Sequence, residues 1–280
     1  MKKTIQQALL FMNPHKAGAD SLADHITGIL EKEFSIQLSL FDETKALPDA
    51  DIAFSLGGDG TVLSAARILA PRAIPLLAIN LGTVGFLAAT APDHWRTVFE
   101  QWLAGTLRLS RRILLEMDVE RSGSLLFHGT CLNDAVIATT GLGKLIRLEV
   151  YTDSIRIGSY RSDGLILATP TGSTAYSLSA GGPILDPELD AIIVNPICPF
   201  SLSARPFVLS TEKPVIVAVE SPQRSTLRLT LDGQIRQDLE PGDRIIVKKA
   251  PSPALLIALD LEIFYRALDA KFIRPEISHA

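Results

Sequence analysis

Residues 51–61 read DIAFSLGGDGT, and this stretch decides the fold of the first part of the chain. Residues 52–56 are mostly apolar, as expected of a buried strand, and residues 57–60 form a glycine-rich turn. Residues 61–69 follow with apolar side chains at helical spacing, so the pattern is strand, turn and helix. Residues 74–79 form another buried strand that ends in a second glycine loop. Strands that alternate with helices in this way predict a parallel α/β sheet.

The pattern changes after about residue 110, where short strand-like runs are separated by Gly, Ser and Asp. No run of ten or more residues there has the spacing of a helix. We therefore expect an α/β domain over residues 1–110 and a mostly β domain over residues 111–264. The chain becomes weakly helical and apolar near its end, and we expect residues 265–280 to return to the first domain.

The composition excludes several classes of function. With 27 Lys and Arg against 31 Asp and Glu, the 280 residues carry a net charge of −4, which argues against nucleic-acid binding through a basic surface. Residues 73–92 and 164–185 are uncharged and long enough to span a membrane, but prolines, glycines and polar residues interrupt both, so no membrane segment is predicted. The two cysteines, Cys131 and Cys198, are too few for a disulfide framework and indicate the cytoplasm.

The glycine-rich turn contains the most informative carboxylate of the sequence, Asp59. Glycines let backbone N–H groups approach a ligand closely, and the start of a helix attracts phosphate. A tight strand-to-helix turn would use the same residue types for conformational reasons alone. However, a carboxylate beside a polyphosphate is repelled unless it binds a divalent cation or accepts a proton from an attacking hydroxyl. The turn matches neither the P-loop nor the dinucleotide fingerprint, and it favours a kinase.

Two further segments carry polar groups that suit a nucleotide. Residues 169–184 contain many hydroxyls and glycines without a charge, and Tyr176 among them can line or stack on a ring. Asn133 and Asp134 stand between two strand-like runs, where an amide and a carboxylate can fix two adjacent ribose hydroxyls. A Ser/Thr/Gly surface loop and an ordinary Asn-Asp turn are the simpler interpretations of these segments.

Several motifs occur in one order along the chain. They are GGDGT at 57–61, NLGTVGFL at 80–87, ND at 133–134, DG at 163–164, residues 169–184, LSARP at 202–206 and DGQ at 232–234. Together they resemble the bacterial NAD kinase family over roughly residues 50–235. The GGDG turn alone is shared with phosphofructokinases and lipid kinases, whereas the ordered set is highly specific.

This resemblance implies ATP-dependent phosphorylation of the 2′-hydroxyl on the adenosine ribose of NAD, which yields NADP. It implies that Asp59 accepts the proton of that hydroxyl and that Gly57, Gly58 and Gly60 meet the phosphates of the donor. The positions implied for nucleotide binding are Asn133, Asp134, Lys144, Arg161, Asp163, Thr174, Ala175, Tyr176, Ser177, Leu178, Ser179 and Gln234. The resemblance further implies that residues 1–110 form the phosphate-donor domain and that residues 111–264 bind the dinucleotide and mediate oligomerisation. A homo-oligomer, either a homotetramer or a homodimer, is implied as well.

A divalent cation, Mg²⁺, is expected to bind together with ATP, because the GGDG turn contains no cation that could neutralise the phosphates. No dedicated metal cage is predicted in the protein. The sequence does not decide whether the acceptor is NAD or NADH, or whether the donor is ATP or polyphosphate. Two departures from the family concern the wall of the dinucleotide pocket: many relatives carry Glu at the position of Asp134, and members often have His where this chain reads Pro199-Phe200-Ser201.

Two other functions compete with this interpretation. A kinase of the same superfamily could act on a sugar phosphate or a lipid, but residues 169–184 lack the Arg and Lys that a sugar phosphate would require. A lipid kinase would be expected to show a membrane-contacting patch. A non-catalytic dinucleotide sensor on the same scaffold is disfavoured by Asp59, because a pure binder gains nothing from a carboxylate that faces phosphates.

Overall fold

The computed structural model describes residues 5–82, 85–141, 145–223 and 225–273. The chain divides into two compact units, one formed by Met1–Arg111 with Pro253–Ala280 and the other by Arg112–Ser252. Residues 253–264 therefore belong to the first unit, and the boundary expected near residue 264 is corrected to residue 252.

Eighteen strands occur in the described part of the chain. The first nine are β1 (Gln7–Met12), β2 (Gln37–Leu40), β3 (Ile52–Gly57), β4 (Leu76–Asn80), β5 (Leu109–Arg112), β6 (Leu115–Arg121), β7 (Ser124–Cys131), β8 (Asp134–Thr139) and β9 (Ile146–Thr152). The others are β10 (Ile155–Ser162), β11 (Gly164–Ala168), β12 (Ala191–Ile197), β13 (Phe207–Ser210), β14 (Val215–Val219), β15 (Leu227–Leu231), β16 (Ile235–Leu239), β17 (Arg244–Lys249) and β18 (Ala254–Ile257).

The helices are fewer and lie mostly in the first unit. They are α1 (Ala19–Phe34), α2 (Asp59–Leu69), α3 (Trp95–Leu103), α4 (Tyr176–Ser179) and α5 (Leu261–Leu268), with 3-10 turns at Ala70–Arg72 and Thr171–Thr174 and a π-helical turn at Asp269–Ile273. Within the described residues, no helix is long and apolar enough to cross a membrane.

The first unit is built on one six-stranded sheet with the order β2-β1-β3-β4-β18-β5. Strands β1, β2, β3, β4 and β18 pair in parallel, as the alternation of strands and helices predicts. Strand β18 joins this sheet through the pair Leu256 and Leu76. Ala254, Leu256 and Ile257 are buried, so β18 contributes to the core of the first unit.

Aromatic side chains fill the core between this sheet and its helices. Phe54 of β3 contacts Trp95 and Phe99 of α3 in edge-on or tilted arrangements with centroid distances of 6.1 and 5.6 Å. Phe34, at the end of α1, packs edge-on against Phe99 at 5.2 Å. Such pairs contribute beyond the area they bury, and they fix α1 and α3 against the central strand.

The second unit consists of two antiparallel sheets, with the orders β10-β9-β14-β17-β6-β7 and β13-β12-β11-β8-β15-β16. Leu115, Met117 and Val119 of β6 are buried while the residues between them are polar, which is the alternation of a strand with one face in the core. A single apolar cluster draws its members from both sheets. The unit is mostly β, and its one described α-helix, α4, has four residues.

Candidate active site

The carboxylate of Asp59 is fixed at the carboxyl end of the parallel sheet. Strand β3 ends at Gly57, and α2 begins at Asp59, two residues earlier than the apolar spacing predicts. Asp59 Oδ1 accepts hydrogen bonds from the backbone N–H groups of Leu87 and Ala88 at 3.1 and 3.0 Å, and Oδ2 accepts one from Phe86 at 3.0 Å. A negative charge in the first turn of a helix also complements the helix dipole. The side chain therefore has one defined position.

Glycine is required at two positions near this carboxylate, because a side chain at either position would overlap a neighbouring side chain. A Cβ on Gly85 would overlap the carboxyl group of Asp59, and a Cβ on Gly57 would overlap the hydroxyl of Thr61. The backbone joins the two glycine loops directly, because the N–H of Leu81 donates to the carbonyl of Gly57 at 2.9 Å. Gly57 and Gly85 thus have packing reasons beside any role in binding phosphate, whereas a Cβ on Gly58 would meet no atom within 4 Å.

A cavity of about 440 Å³ lies in the second unit. It is lined by Asn133, Asp134, Val136, Ala175, Tyr176, Thr230, Asp232 and Gly233. Four of these residues, Asn133, Asp134, Ala175 and Tyr176, come from the positions that the sequence predicts for the dinucleotide. Motifs more than forty residues apart therefore meet in one pocket, which is mixed polar and apolar as small-molecule sites usually are.

Asp232 organises this cavity, although it is not among the site residues that the sequence implies. Its carboxylate accepts hydrogen bonds from the N–H groups of Leu132, Asn133 and Asp134 at 3.0, 2.7 and 3.2 Å. Asp232 and Gly233 have φ angles of 50° and 69°, and they lie in the three-residue connection between β15 and β16, where two successive positive φ angles are typical of a tight hairpin turn. The Asp-Gly pair is a hairpin signal in the sequence, but its carboxylate contacts are tertiary.

Asp134 is a buried carboxyl group beside Asp232. Only 5% of Asp134 is exposed. Burial raises the pKa of its carboxyl to about 7, and the negative charge of Asp232 adds to the shift. Because both effects disfavour the charged form, the group holds a proton more readily than an exposed aspartate does. A ligand hydroxyl that donates to the carboxylate would favour the charged form instead.

The turn that carries Ala175 and Tyr176 is held in place by hydrogen bonds to Ser177. The amide Nδ2 of Asn195, on β12, donates to the carbonyl of Ser177 at 2.9 Å, and the N–H of Gly182 donates to the same oxygen at 2.8 Å. Asn195 and Ser177 are completely buried. A Cβ on Gly172 would overlap the backbone carbonyl of Asn133, so the turn approaches the Asn133–Asp134 segment as closely as backbone can.

The remaining predicted residues lie outside the described lining of the cavity. Thr174 donates to the carbonyl of Thr171 at 3.3 Å, and Arg161 stacks over the ring of Phe200 with 5.0 Å between guanidinium carbon and centroid. Asp163, Ser179 and Gln234 are exposed, Leu178 is half-buried and Ser177 is buried. Lys144 lies outside the residues that the structure describes.

Comparison with known proteins identifies the family. The profile of the ATP-NAD kinase N-terminal domain matches residues 41–107, and that of the ATP-NAD kinase C-terminal domain matches residues 132–259. The NAD kinase of Treponema denticola is 41% identical over 223 residues, which cover 80% of this chain and 78% of the relative. The NAD kinase of Carboxydothermus hydrogenoformans is 44% identical over 223 residues, 79% of each chain.

The chain belongs to the NAD kinase family. The resemblance seen in the motifs is confirmed, and so is the ATP-dependent NAD kinase activity that the resemblance implies.

Solved structures of NAD kinase relatives show the same fold. Yeast NADH kinase, crystallised in complex with NADH, matches with a TM-score of 0.86 and 26% identity over 100% of this chain and 90% of its own. An NAD kinase from Archaeoglobus fulgidus, crystallised in complex with ATP, matches with a TM-score of 0.75 and 26% identity over 94% of this chain and 97% of its own. An α/β first part followed by a mostly β second part is thereby confirmed.

Proposed function

We propose that this member of the NAD kinase family transfers the γ-phosphate of ATP to the 2′-hydroxyl of the adenosine ribose of NAD, with Asp59 directed at the acceptor hydroxyl. The observation that carries this assignment is the fixed carboxylate of Asp59 between two glycine loops. Oδ1 accepts two backbone N–H groups and Oδ2 only one, so Oδ2 keeps a direction in which it can accept the hydroxyl proton.

The backbone N–H groups that hold Asp59 define its contribution. They fix the orientation of the carboxylate relative to the two glycine loops. In a loose phosphoryl-transfer transition state the protein contributes mainly orientation and charge placement. Asp59 therefore aligns the hydroxyl for attack and receives its proton late in the reaction.

The donor phosphates are assigned to the glycine turn. Gly57 and Gly58 precede α2 and Gly60 lies in its first turn, so all three stand at the positive end of the helix dipole. The start of a helix attracts phosphate.

The dinucleotide is assigned to the cavity of the second unit. Asn133 and Asp134 provide an amide and a carboxyl group for ribose hydroxyls, and Tyr176, which is 47% exposed, offers an aromatic face. The side-chain oxygen of Asn133 is buried and has no hydrogen-bond partner among the described residues. A buried acceptor without a partner is costly, so a donor from the ligand would be stabilising here.

The divalent cation is assigned to the nucleotide rather than to the protein. Among the described residues, no group of three or more His, Cys, Asp or Glu side chains could hold a metal ion, and the oxygens of Asp59 already accept three backbone N–H groups. A site with few protein ligands fits Mg²⁺, which commonly keeps several waters and binds through substrate phosphates. When bound, the cation would neutralise the charge that develops on the phosphates.

Assembly and compartment are further parts of this proposal. The second unit exposes the apolar side chains of Phe200, Leu202, Phe207 and Val208, with Leu202 90% exposed, which supports a homodimer or a homotetramer. Neither Cys131 nor Cys198 forms a disulfide bond in the described part of the chain, which supports a cytoplasmic location.

The test is an assay of the purified chain with NAD, ATP and Mg²⁺, in which NADP is detected with an NADP-specific dehydrogenase. NADH and polyphosphate are tested in place of NAD and ATP, and a sugar phosphate and a lipid are tested as rival acceptors. We expect Asp59→Asn to lower kcat by at least about 10²-fold while NAD binding is retained. Asp49→Asn is the matched control, because Asp49 is an exposed carboxylate of the same unit. Near-normal turnover of Asp59→Asn would contradict the assignment.

A further inference from the structure

The loop after β1 brings a basic residue to the carboxyl edge of the parallel sheet. The N–H of Asn13 donates to the carbonyl of Leu56 at 3.0 Å, which ties this loop to the end of β3. The side chain of Asn13 accepts from the N–H of His15 at 3.0 Å, and its carbonyl accepts from the N–H of Lys16 at 3.1 Å. The backbone of Lys16 is thus fixed beside the strand that leads into the GGDG turn.

The ammonium group of Lys16 points at the second glycine loop. A Cβ built on Gly82 would lie 3.4 Å from Lys16 Nζ and 3.8 Å from Asn80 Oδ1. Gly82 is two residues beyond the end of β4, and the neighbouring Leu81 is bonded to Gly57. Three loops, at the ends of β1, β3 and β4, therefore meet around one cation, at the edge where parallel α/β sheets bind their ligands.

No described residue serves as a counter-ion for Lys16. It is exposed and forms no ion pair or hydrogen bond through its ammonium group with any described residue. Beside it, the side-chain Nδ2 of Asn80 is buried, again with no partner in the described part of the chain. The edge therefore presents a free positive charge and an unsatisfied donor in a chain whose net charge is −4.

We propose that Lys16 is a donor-binding residue that contacts the phosphates of ATP. The proposal rests on the proposed function, because it takes the glycine loops as the site of the donor. A lysine binds phosphate as a point charge, and a hydrogen bond between charged groups is stronger than one between neutral groups. Lys16 supplies the protein cation that the GGDG turn lacks.

The experiment compares Lys16→Met and Lys16→Arg with the wild-type chain. Lys16→Met keeps the length and apolar stem of the side chain and removes the charge, whereas Lys16→Arg keeps the charge. We expect Lys16→Met to raise the KM for ATP about tenfold or more and to leave the KM for NAD within about twofold. Lys16→Arg should recover part of the affinity. The matched control is Lys45→Met, because Lys45 is exposed in the same unit and pairs only with Asp42 in the described structure.

Equilibrium binding separates phosphate recognition from a change of fold. Calorimetry with ATP, ADP and adenosine should show weaker binding of ATP and ADP to Lys16→Met and unchanged binding of adenosine. An unchanged KM for ATP in Lys16→Met, or equal losses for ADP and adenosine, would overturn the role of Lys16 and leave the proposed function intact. Failure of the wild-type chain to form NADP would overturn the proposed function itself.

Discussion

The carboxyl group of Asp59 occupies the space that a side chain on Gly85 would need. The glycine of the second loop and the aspartate of the first therefore depend on each other, although they are 26 positions apart in the sequence. Three hydrogen bonds from residues 86–88 complete this arrangement. The requirement for glycine at this position is steric, and it leads directly to a prediction.

Gly85→Ala should inactivate the enzyme without removing a functional group. The added methyl group displaces the carboxylate of Asp59 from the position that its three backbone donors define. We expect kcat to fall by at least about 10²-fold, since a misplaced proton acceptor loses its catalytic contribution. Steady-state kinetics measure this. Gly28→Ala is the control, because a Cβ on Gly28 meets no atom within 4 Å, and its kcat should be unchanged.

Asp134→Asn should change how stability depends on pH. The folded-state pKa of Asp134 is raised from 3.8 to about 7, so its contribution to stability is complete below pH 4 and is lost as the pH rises to about 7. The amide of the variant does not ionise. The free energy of unfolding of the variant should therefore rise relative to that of the wild type between pH 4 and pH 7, by up to about 4 kcal/mol, and the difference should persist above pH 7. Urea unfolding at pH 5 and pH 8 measures it. A stability difference that does not increase from pH 5 to pH 8 would show that Asp134 is not the titrating group.

Asn195 does not line the cavity, but the substitution Asn195→Ala should weaken dinucleotide binding. The variant loses the hydrogen bond from Nδ2 to the carbonyl of Ser177, which fixes the turn carrying Tyr176. We expect a loss of about 1–3 kcal/mol of stability. The KM for NAD should rise severalfold with little change in kcat. Gln237→Ala, which removes an amide that bonds only the neighbouring carbonyl of Asp238 in the described structure, serves as the control. A loss of stability with an unchanged KM for NAD would show that Asn195 is structural only.

Removal of divalent metal should abolish activity. EDTA is expected to stop NADP formation, and Mg²⁺ or Mn²⁺ should restore it, because the described residues offer no cluster that could retain a metal by themselves. The melting temperature of the nucleotide-free chain should not change with EDTA, since the metal is assigned to ATP. Full activity in EDTA would refute the requirement, and a large drop in melting temperature would indicate a metal held by the protein.

Local patterns were enough to predict much of the fold. The strand before Gly57, the helix after it and the change to short strands near residue 110 follow from hydrophobic periodicity. Helix α3 was not predicted, although Trp95, Phe99 and Trp102 have helical spacing. The run of short strands predicts that residues 253–264 belong to the second domain, and this is wrong, because a four-residue strand such as β18 gives no local indication of the sheet that it joins.

The sequence alone determined the residue types of the site and their order, because glycine turns, the start of a helix and an Asp-Gly hairpin depend on neighbouring residues. Only the tertiary structure decided their partners. The carboxylate of Asp232 reaches the backbone of residues 132–134 across about a hundred positions, and Lys16 approaches Gly82 from the loop after β1. Contacts of this kind depend on which strands lie side by side, and the order of strands in a sheet is set by packing of the whole core rather than by any local pattern.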